Sequence, residues 1–220
     1  MKKSTGIMGL TLIGILSIGS VTTFAQASSN TVPKNTVMTE KAVEQESYKE
    51  NKLKDVALNA FQKNFNETID TKNLYERNNG FFEVDGRKFY IAEWCNKNSE
   101  FINGNTAIYY NATIDVETNK VVDLVYHPGE PKDQKYKNFS YDEAENLASN
   151  FVKTNNILDD KSYEFLEAES KETSIARKES VEYYFYFKYD GGKTCLVTVN
   201  RDLKKVTAFN LDIDGAGSRG

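Results

Sequence analysis

The sequence predicts an α+β protein built from two tandem modules, each with one helix followed by an antiparallel sheet (αβββ-type). Two amphipathic helical segments recur at a fixed spacing, and runs rich in β-branched and aromatic residues follow each of them. Each set of runs also ends in a similar polar turn. We therefore expect a first module over residues 49–126, a linker over 127–138 and a second module over 139–212.

Both helices are predicted from apolar stripes with the 3.6-residue period of an α-helix. The first stripe consists of Leu53, Val56, Ala57, Ala60, Phe61 and Phe65. The second consists of Ala144, Leu147, Ala148, Phe151 and Val152. The second helix opens with Ser140 and Glu143, which match the capping-box pattern. The two stripes align at a constant offset of 91 positions.

Strand-like runs follow each helix and point to an internal repeat. They cover 81–84, 88–94, 106–115 and 121–124 in the first half, and 162–168, 181–189, 194–200 and 206–211 in the second. The terminal turns place Asp115 and Lys120 at an offset of 85 from Asn200 and Lys205. A repeat of this length suits two small domains or a fused pair. Because so small a module buries a modest core, we expect the two copies to share an interface.

The N-terminus has the three parts of a secretory signal peptide over residues 1–27. Lys2 and Lys3 precede an uncharged apolar stretch, and Ala25 and Ala27 supply the small residues of a cleavage site. An uncleaved membrane anchor is the alternative, but several glycines and serines dilute the stretch. We expect an exported protein, secreted or associated with the cell wall, that is not held in the membrane after cleavage.

The composition of the exported chain predicts disordered ends and limits the classes of partner that it can bind. Residues 28–48 are predicted to form a disordered leader and residues 213–220 a flexible tail. Removal of residues 1–27 would leave 26 basic and 32 acidic residues, a formal charge of −6. An acidic chain disfavours nucleic acid and anionic lipid as partners. We expect a protein or peptide partner outside the cell, and the sequence leaves the oligomeric state open.

The two cysteines, Cys95 and Cys195, allow two interpretations. In an exported chain they could form a disulfide, or they could be buried separately as small apolar side chains. With His127 as the single histidine, they do not make a zinc site. We expect neither a metal nor another cofactor.

No catalytic motif is recognisable in the chain. It lacks the HExxH helix, the Gly-x-Ser-x-Gly elbow and the P-loop. Acidic pairs such as Asp142 with Glu143 could serve glycoside hydrolysis, which uses two carboxyl groups. Because most of these pairs lie in polar helix starts and turns, we interpret them as solvated surface residues. We therefore expect a protein that is not an enzyme, with a carboxylate-pair hydrolase as the third interpretation.

Aromatic side chains are the strongest binding candidates. They are Tyr183, Phe185, Phe187, Tyr189, Tyr109 and Trp94. The face they form on a strand is either buried against the other module or exposed for contact with a peptide or glycan, since tyrosine gives amphipathic contact at low entropic cost.

The chain resembles the PepSY family of exported proteins of Gram-positive bacteria. The resemblance rests on the helix start at residues 140–144, the alanine-rich helix faces, and the hairpins at 113–121 and 198–206. Asn119 stands where the family hairpin has glycine. The resemblance implies a small non-catalytic domain that inhibits or regulates a secreted protease, as proposed for the propeptides of secreted metalloproteases. A cell-envelope interaction protein with no inhibitory role is the alternative.

Overall fold

The computed structural model describes residues 40–96, 107–129, 139–177 and 181–211. The predicted signal peptide, the first part of the predicted leader and the predicted tail lie outside these ranges. Among the described helices, none combines the length and the apolar character needed to cross a membrane.

Three α-helices and eight strands make up the described chain. In order they are α1 (Glu40–Phe65), β1 (Tyr75–Val84), β2 (Arg87–Cys95), β3 (Ile108–Asp115), β4 (Val121–Pro128), α2 (Tyr141–Thr154), β5 (Tyr163–Phe165), α3 (Glu167–Ala176), β6 (Glu182–Tyr189), β7 (Lys193–Asn200) and β8 (Lys205–Leu211). Helix α1 thus begins within the stretch predicted as a leader, and β4 extends into the predicted linker.

All eight strands form one antiparallel sheet in the order β1-β2-β3-β4-β8-β7-β6-β5. The prediction of two tandem modules is therefore wrong. The last strands of the two halves, β4 and β8, pair with each other, with Leu124 opposite Phe209 at the centre of their ladder. This pairing joins the halves into one sheet over one continuous apolar core. In the described chain each half supplies four strands, which correspond to the four runs predicted in each half and exceed the three of an αβββ unit.

The two halves nevertheless share local geometry at the predicted offset. The β3–β4 ladder shifts its register between Thr113 and Ile114. The β7–β8 ladder shifts between Thr198 and Val199, which stand 85 positions later. A bulge inserts one extra residue and bends the strand, so both halves bend their last hairpin at the same place.

The turns that close these hairpins are also equivalent. The Oδ1 atom of Asp115 accepts hydrogen bonds from the amides two and three residues further on, both at 3.0 Å. The Oδ1 atom of Asn200 does the same at 3.0 and 2.9 Å. Asn119 and Lys204 both have a positive φ, 56° and 51°. The second turn therefore has the same conformation as the first, although lysine is rare in the left-handed region.

Helices α1 and α2 lie on the same face of the sheet. The capping box predicted at the start of α2 is confirmed: Ser140 Oγ accepts from the Glu143 amide at 3.2 Å, and the Ser140 amide donates to the Glu143 carboxylate at 2.9 Å. The Phe61 ring contacts Tyr110 of β3 edge-on, with centroids 5.4 Å apart. The Phe151 ring lies 6.0 Å from that of Phe209 in β8. Both helices thus bury their apolar stripes on a single sheet surface.

Helix α3 lies along the edge of β6. Sequence patterning predicts a strand over 162–168, but only Tyr163–Phe165 form one, and α3 follows. Ser174 Oγ bonds to both the amide and the carbonyl of Tyr184, and Ser170 Oγ accepts from the amide of Tyr186. These contacts satisfy backbone groups that an edge strand would expose to other chains.

Candidate binding face

The sheet surface opposite α1 and α2, which we call the open face, is the candidate site. Helices α1 and α2 contact the other surface, and α3 contacts mainly β6 at one edge. Strand alternation places a central set of side chains on the open face: Ile91, Glu93, Tyr109, Asn111, Thr113, Asp123, Val125, Leu196, Ala208 and Asn210. Most of them are half-buried.

Glu93 is a buried acid on this face, with 5 % of its surface exposed. Its carboxylate lies 3.6 Å from Nε of Arg77 and accepts a hydrogen bond of 3.4 Å from the side-chain amide of Asn78. Burial nevertheless outweighs these contacts and a hydrogen bond from Tyr109, so the pKa of Glu93 is raised. A buried carboxylate with incomplete compensation favours a neutral or cation-bound form.

Asp123 is the second acid of the open face and lies where β4 pairs with β8. Its Oδ1 atom accepts a hydrogen bond of 3.0 Å from the side-chain amide of Asn210. Desolvation is the larger effect and raises the pKa of Asp123 to about 6. Asp123 therefore changes its charge close to neutral pH.

Tyr109 contacts one of the two acids and is influenced by the charge of the other. Its hydroxyl forms hydrogen bonds with Glu93 and Asn111. Burial, followed by the negative charges of Glu93 and Asp123, raises the pKa of Tyr109. Tyr109 therefore remains a neutral hydrogen-bond donor and acceptor beside the Glu93 carboxyl group. We call Glu93, Tyr109, Asn111, Asp123 and Asn210 the polar cluster.

Most of the predicted binding aromatics lie in the core instead. Tyr183, Phe185, Phe187 and Tyr189 occupy the helix side of β6, where Phe185 and Phe187 are 0 % exposed. The Tyr141 ring of α2 covers this row, with its centroid 5.2 Å from that of Phe185. The row is thus buried under a helix of its own half, neither exposed nor against a second module.

The other two predicted aromatics separate. Trp94, 1 % exposed, is buried on the helix side of β2. Tyr109 is the single predicted residue that the described structure places on the open face, because it is one position out of step with the buried Tyr110. The acids and amides around Tyr109 were missed because each stands alone in an apolar strand, and their proximity depends on pairing across β2, β3, β4 and β8.

Of the two interpretations of Cys95 and Cys195, the structure agrees with separate burial and not with a disulfide. Three strands, β3, β4 and β8, separate their strands in the sheet. With neighbouring strands about 4.8 Å apart, this exceeds the reach of a disulfide several-fold. Both cysteines are buried thiols, and burial raises the pKa of Cys195 to about 12.

His127 lies in β4, not in a linker. Its Nδ1 atom is 3.1 Å from the carbonyl oxygen of Ala107 and 3.2 Å from the amide of Gly129. These backbone contacts hold the ring at the end of the strand. In the described part of the chain, no three acid, cysteine or histidine side chains come together as a metal site.

Two shallow cavities occur elsewhere on the described surface. One, of about 260 Å³, lies between the ends of α1 and α2, above Phe65 and Phe151. The other, of about 510 Å³, lies beside Tyr163 and Tyr189. Neither of these two cavities is lined by a member of the polar cluster.

Comparisons with known proteins add no relative. No protein-family model, no curated protein and no solved structure matches this chain.

Proposed function

We propose that this protein is exported and acts as a non-catalytic binding module that uses the open face to bind another protein. The supporting observation is the sheet surface away from α1 and α2, where half-buried side chains surround Tyr109. Tyrosine is enriched in protein interfaces because it combines apolar area with a polar hydroxyl. A broad surface of this kind fits a protein better than a small molecule, which requires a concave site.

The chemistry of the polar cluster favours a partner segment that brings hydrogen-bond donors or a positive charge. Desolvation raises the pKa values of Glu93 and Asp123, and additional hydrogen-bond donors or positive charges would offset it. A lysine, an arginine or an unpaired backbone amide of a partner would supply them. The net negative charge of the chain acts in the same direction over longer distances.

The partner class we propose is a secreted protease, which the protein would inhibit or regulate. This choice rests on the resemblance of the helix start and hairpins to the PepSY family. The alternative partner is a protein of the cell envelope, with no effect on proteolysis. The carboxylate-pair hydrolase has weaker support, because Glu93 and Asp123 lie outside both described cavities.

A protease challenge tests the proposal. The purified chain would be titrated into a thermolysin-type secreted metalloprotease, and residual activity on a small peptide substrate would be followed together with the intact mass of the added protein. We expect activity to fall with dose while the protein keeps its mass. Unchanged activity would exclude inhibition of that protease class and favour the cell-envelope alternative. Degradation of the added protein would identify it as a substrate.

A further inference from the structure

The junction of the two halves has the geometry of a two-fold axis. Leu124 and Phe209 face each other across β4 and β8, and they are also equivalent positions at the repeat offset of 85. In a symmetric antiparallel pair, a residue opposite its own equivalent marks the axis. The flanking pairs are related by the same axis: Asp123 faces Asn210, the equivalent of Val125, and Val125 faces Ala208, the equivalent of Asp123.

Ion pairs cross between the halves in a reciprocal pattern. Lys205 of the second half contacts Glu67, which follows α1 in the first. Lys120 of the first half contacts Asp159, which follows α2 in the second. The two lysines are equivalent at the offset of 85, and both acids follow the helix of their half. In a symmetric interface, residue i contacts j and j contacts i in this manner.

The ends of α1 and α2 show the same symmetry. Asn64 and Asn155 stand 91 positions apart, and each donates its side-chain amide to the carbonyl four residues earlier, at 3.0 and 3.1 Å. Between the two helix ends, the Phe65 ring of the first half stacks on the Phe151 ring of the second with centroids 6.0 Å apart, although these two rings are not at equivalent positions. Helix ends, ion pairs and strand ladder thus share one approximate two-fold relation.

We infer that the chain is a fused dimer, whose halves 40–129 and 139–211 recognise each other as two subunits do. The recognition surface of each half consists of the last strand, the end of the helix and the lysine that follows the hairpin turn. Its partner is the equivalent surface of the related half. The covalent connection raises the effective concentration of the partner and is not required for binding.

The experiment uses the full chain with a specific protease site inserted within residues 130–138. After cleavage, size-exclusion chromatography and native mass spectrometry would measure association, and circular dichroism would measure folding. We expect a 1:1 complex at micromolar concentration, with the spectrum of the uncut chain and a thermal midpoint that rises with protein concentration. Two separate folded fragments, or fragments that unfold on cutting, would overturn the inference.

A milder variant tests the axis itself. Phe209→Ala truncates a side chain at the axis, while Val84→Ala truncates one that is 42 % exposed at the far edge of the sheet. In the cut chain we expect Phe209→Ala to weaken association at least tenfold and Val84→Ala to leave it within twofold. Equal effects of the two substitutions would contradict an interface centred on Phe209.

Discussion

The Nζ atom of Lys205 donates a hydrogen bond to Oε1 of Glu67, which precedes it by 138 residues. The contact ties the first residue of β8 to the segment that follows α1. The ammonium also lies 4.7 Å from the centroid of the Tyr126 ring in β4. One side chain therefore connects the helix of the first half with the paired strands β4 and β8.

The Lys205–Glu67 pair should contribute measurably to stability. Its side chains are 32 % and 23 % exposed, so solvent screens the pair only in part. We expect Lys205→Ala to lower the free energy of unfolding by about 0.5–1 kcal/mol. A double-mutant cycle with Glu67→Ala, measured by urea unfolding, would give the coupling energy.

The equivalent pair of Lys120 and Asp159 is the matched control. Asp159 is 59 % exposed, and the pair is correspondingly more screened. We expect a coupling energy close to zero for this pair at 0.15 M salt. A coupling energy larger than that of the Lys205–Glu67 pair would contradict the expectation that the more buried ion pair stabilises the fold more.

The turn acceptors Asp115 and Asn200 should differ in their tolerance of substitution. Each satisfies two backbone amides, so replacement by alanine is expected to cost about 1–2 kcal/mol at either position. Asp115→Asn should cost less, because Asn200 shows that an asparagine forms the same turn. Thermal unfolding of Asp115→Ala, Asn200→Ala and Asp115→Asn would rank the three variants by their loss of stability.

Asp115 should also give an acid-dependent contribution. Burial opposes ionisation, but hydrogen bonds from Thr118, Arg87 and Glu117 outweigh it and lower the pKa of Asp115. A lowered pKa stabilises the fold above the normal value of 3.8, and this stabilisation disappears as pH falls through the folded-state pKa. Unfolding free energies of Asp115→Asn and the wild type should therefore converge below pH 3.8. A difference that persists at lower pH would contradict this.

Asp123 should have the opposite pH dependence. Burial raises its pKa from 3.8 to about 6, so the folded protein binds a proton that the unfolded chain has released. Stability is then highest below pH 3.8 for this group and decreases as pH rises to about 6. Because the side chain is half-buried, we expect Asp123→Asn to gain on the order of 1 kcal/mol relative to the wild type above pH 6. If the difference in unfolding free energy between Asp123→Asn and the wild type were the same at pH 4 and pH 7, the raised pKa of Asp123 would be contradicted.

Because both cysteines are buried thiols, we expect them to resist chemical modification and the stability of the protein to be insensitive to a reducing agent. Cys195 is 0 % exposed, and its pKa of about 12 keeps it protonated at neutral pH. We expect a thiol reagent to label both cysteines only after denaturation, and a reducing agent to leave the unfolding midpoint unchanged. A midpoint that falls on reduction would indicate a disulfide.

Local features of the fold could be predicted from the sequence, and long-range pairing could not. The apolar stripe of α2 and the pair Ser140 with Glu143 identify that helix because capping and periodicity act within a few residues. The turns at Asp115 and Asn200 are likewise local. The pairing of β4 with β8 depends on contacts between distant segments. The residue pattern within a strand does not determine which other strand it pairs with.

The candidate site was predicted least well, for a related reason. Helix α3 buries Ser170 and Ser174, so it lacks the apolar stripe that identifies a helix from sequence. In the sequence, the aromatic row that includes Phe185 and Phe187 is equally consistent with a buried core and with an exposed binding surface. Only the position of the helix that covers the row distinguishes the two. Glu93 and Asp123 are isolated acids in sequence and come to lie on the same sheet face only when β2, β3 and β4 pair.

The most direct test of binding through the open face compares two charge-introducing substitutions in the protease challenge. Asn111→Arg changes the centre of the open face, and Asn59→Arg changes an exposed position of α1 on the other side of the sheet. After circular dichroism has shown that both variants fold, their dose dependence of inhibition would be measured beside that of the wild type. We expect Asn111→Arg to weaken inhibition at least tenfold and Asn59→Arg to retain it. Inhibition by Asn111→Arg that equals the wild type would contradict the proposed role of the open face, whereas no inhibition by the wild type itself would exclude this protease class as the partner.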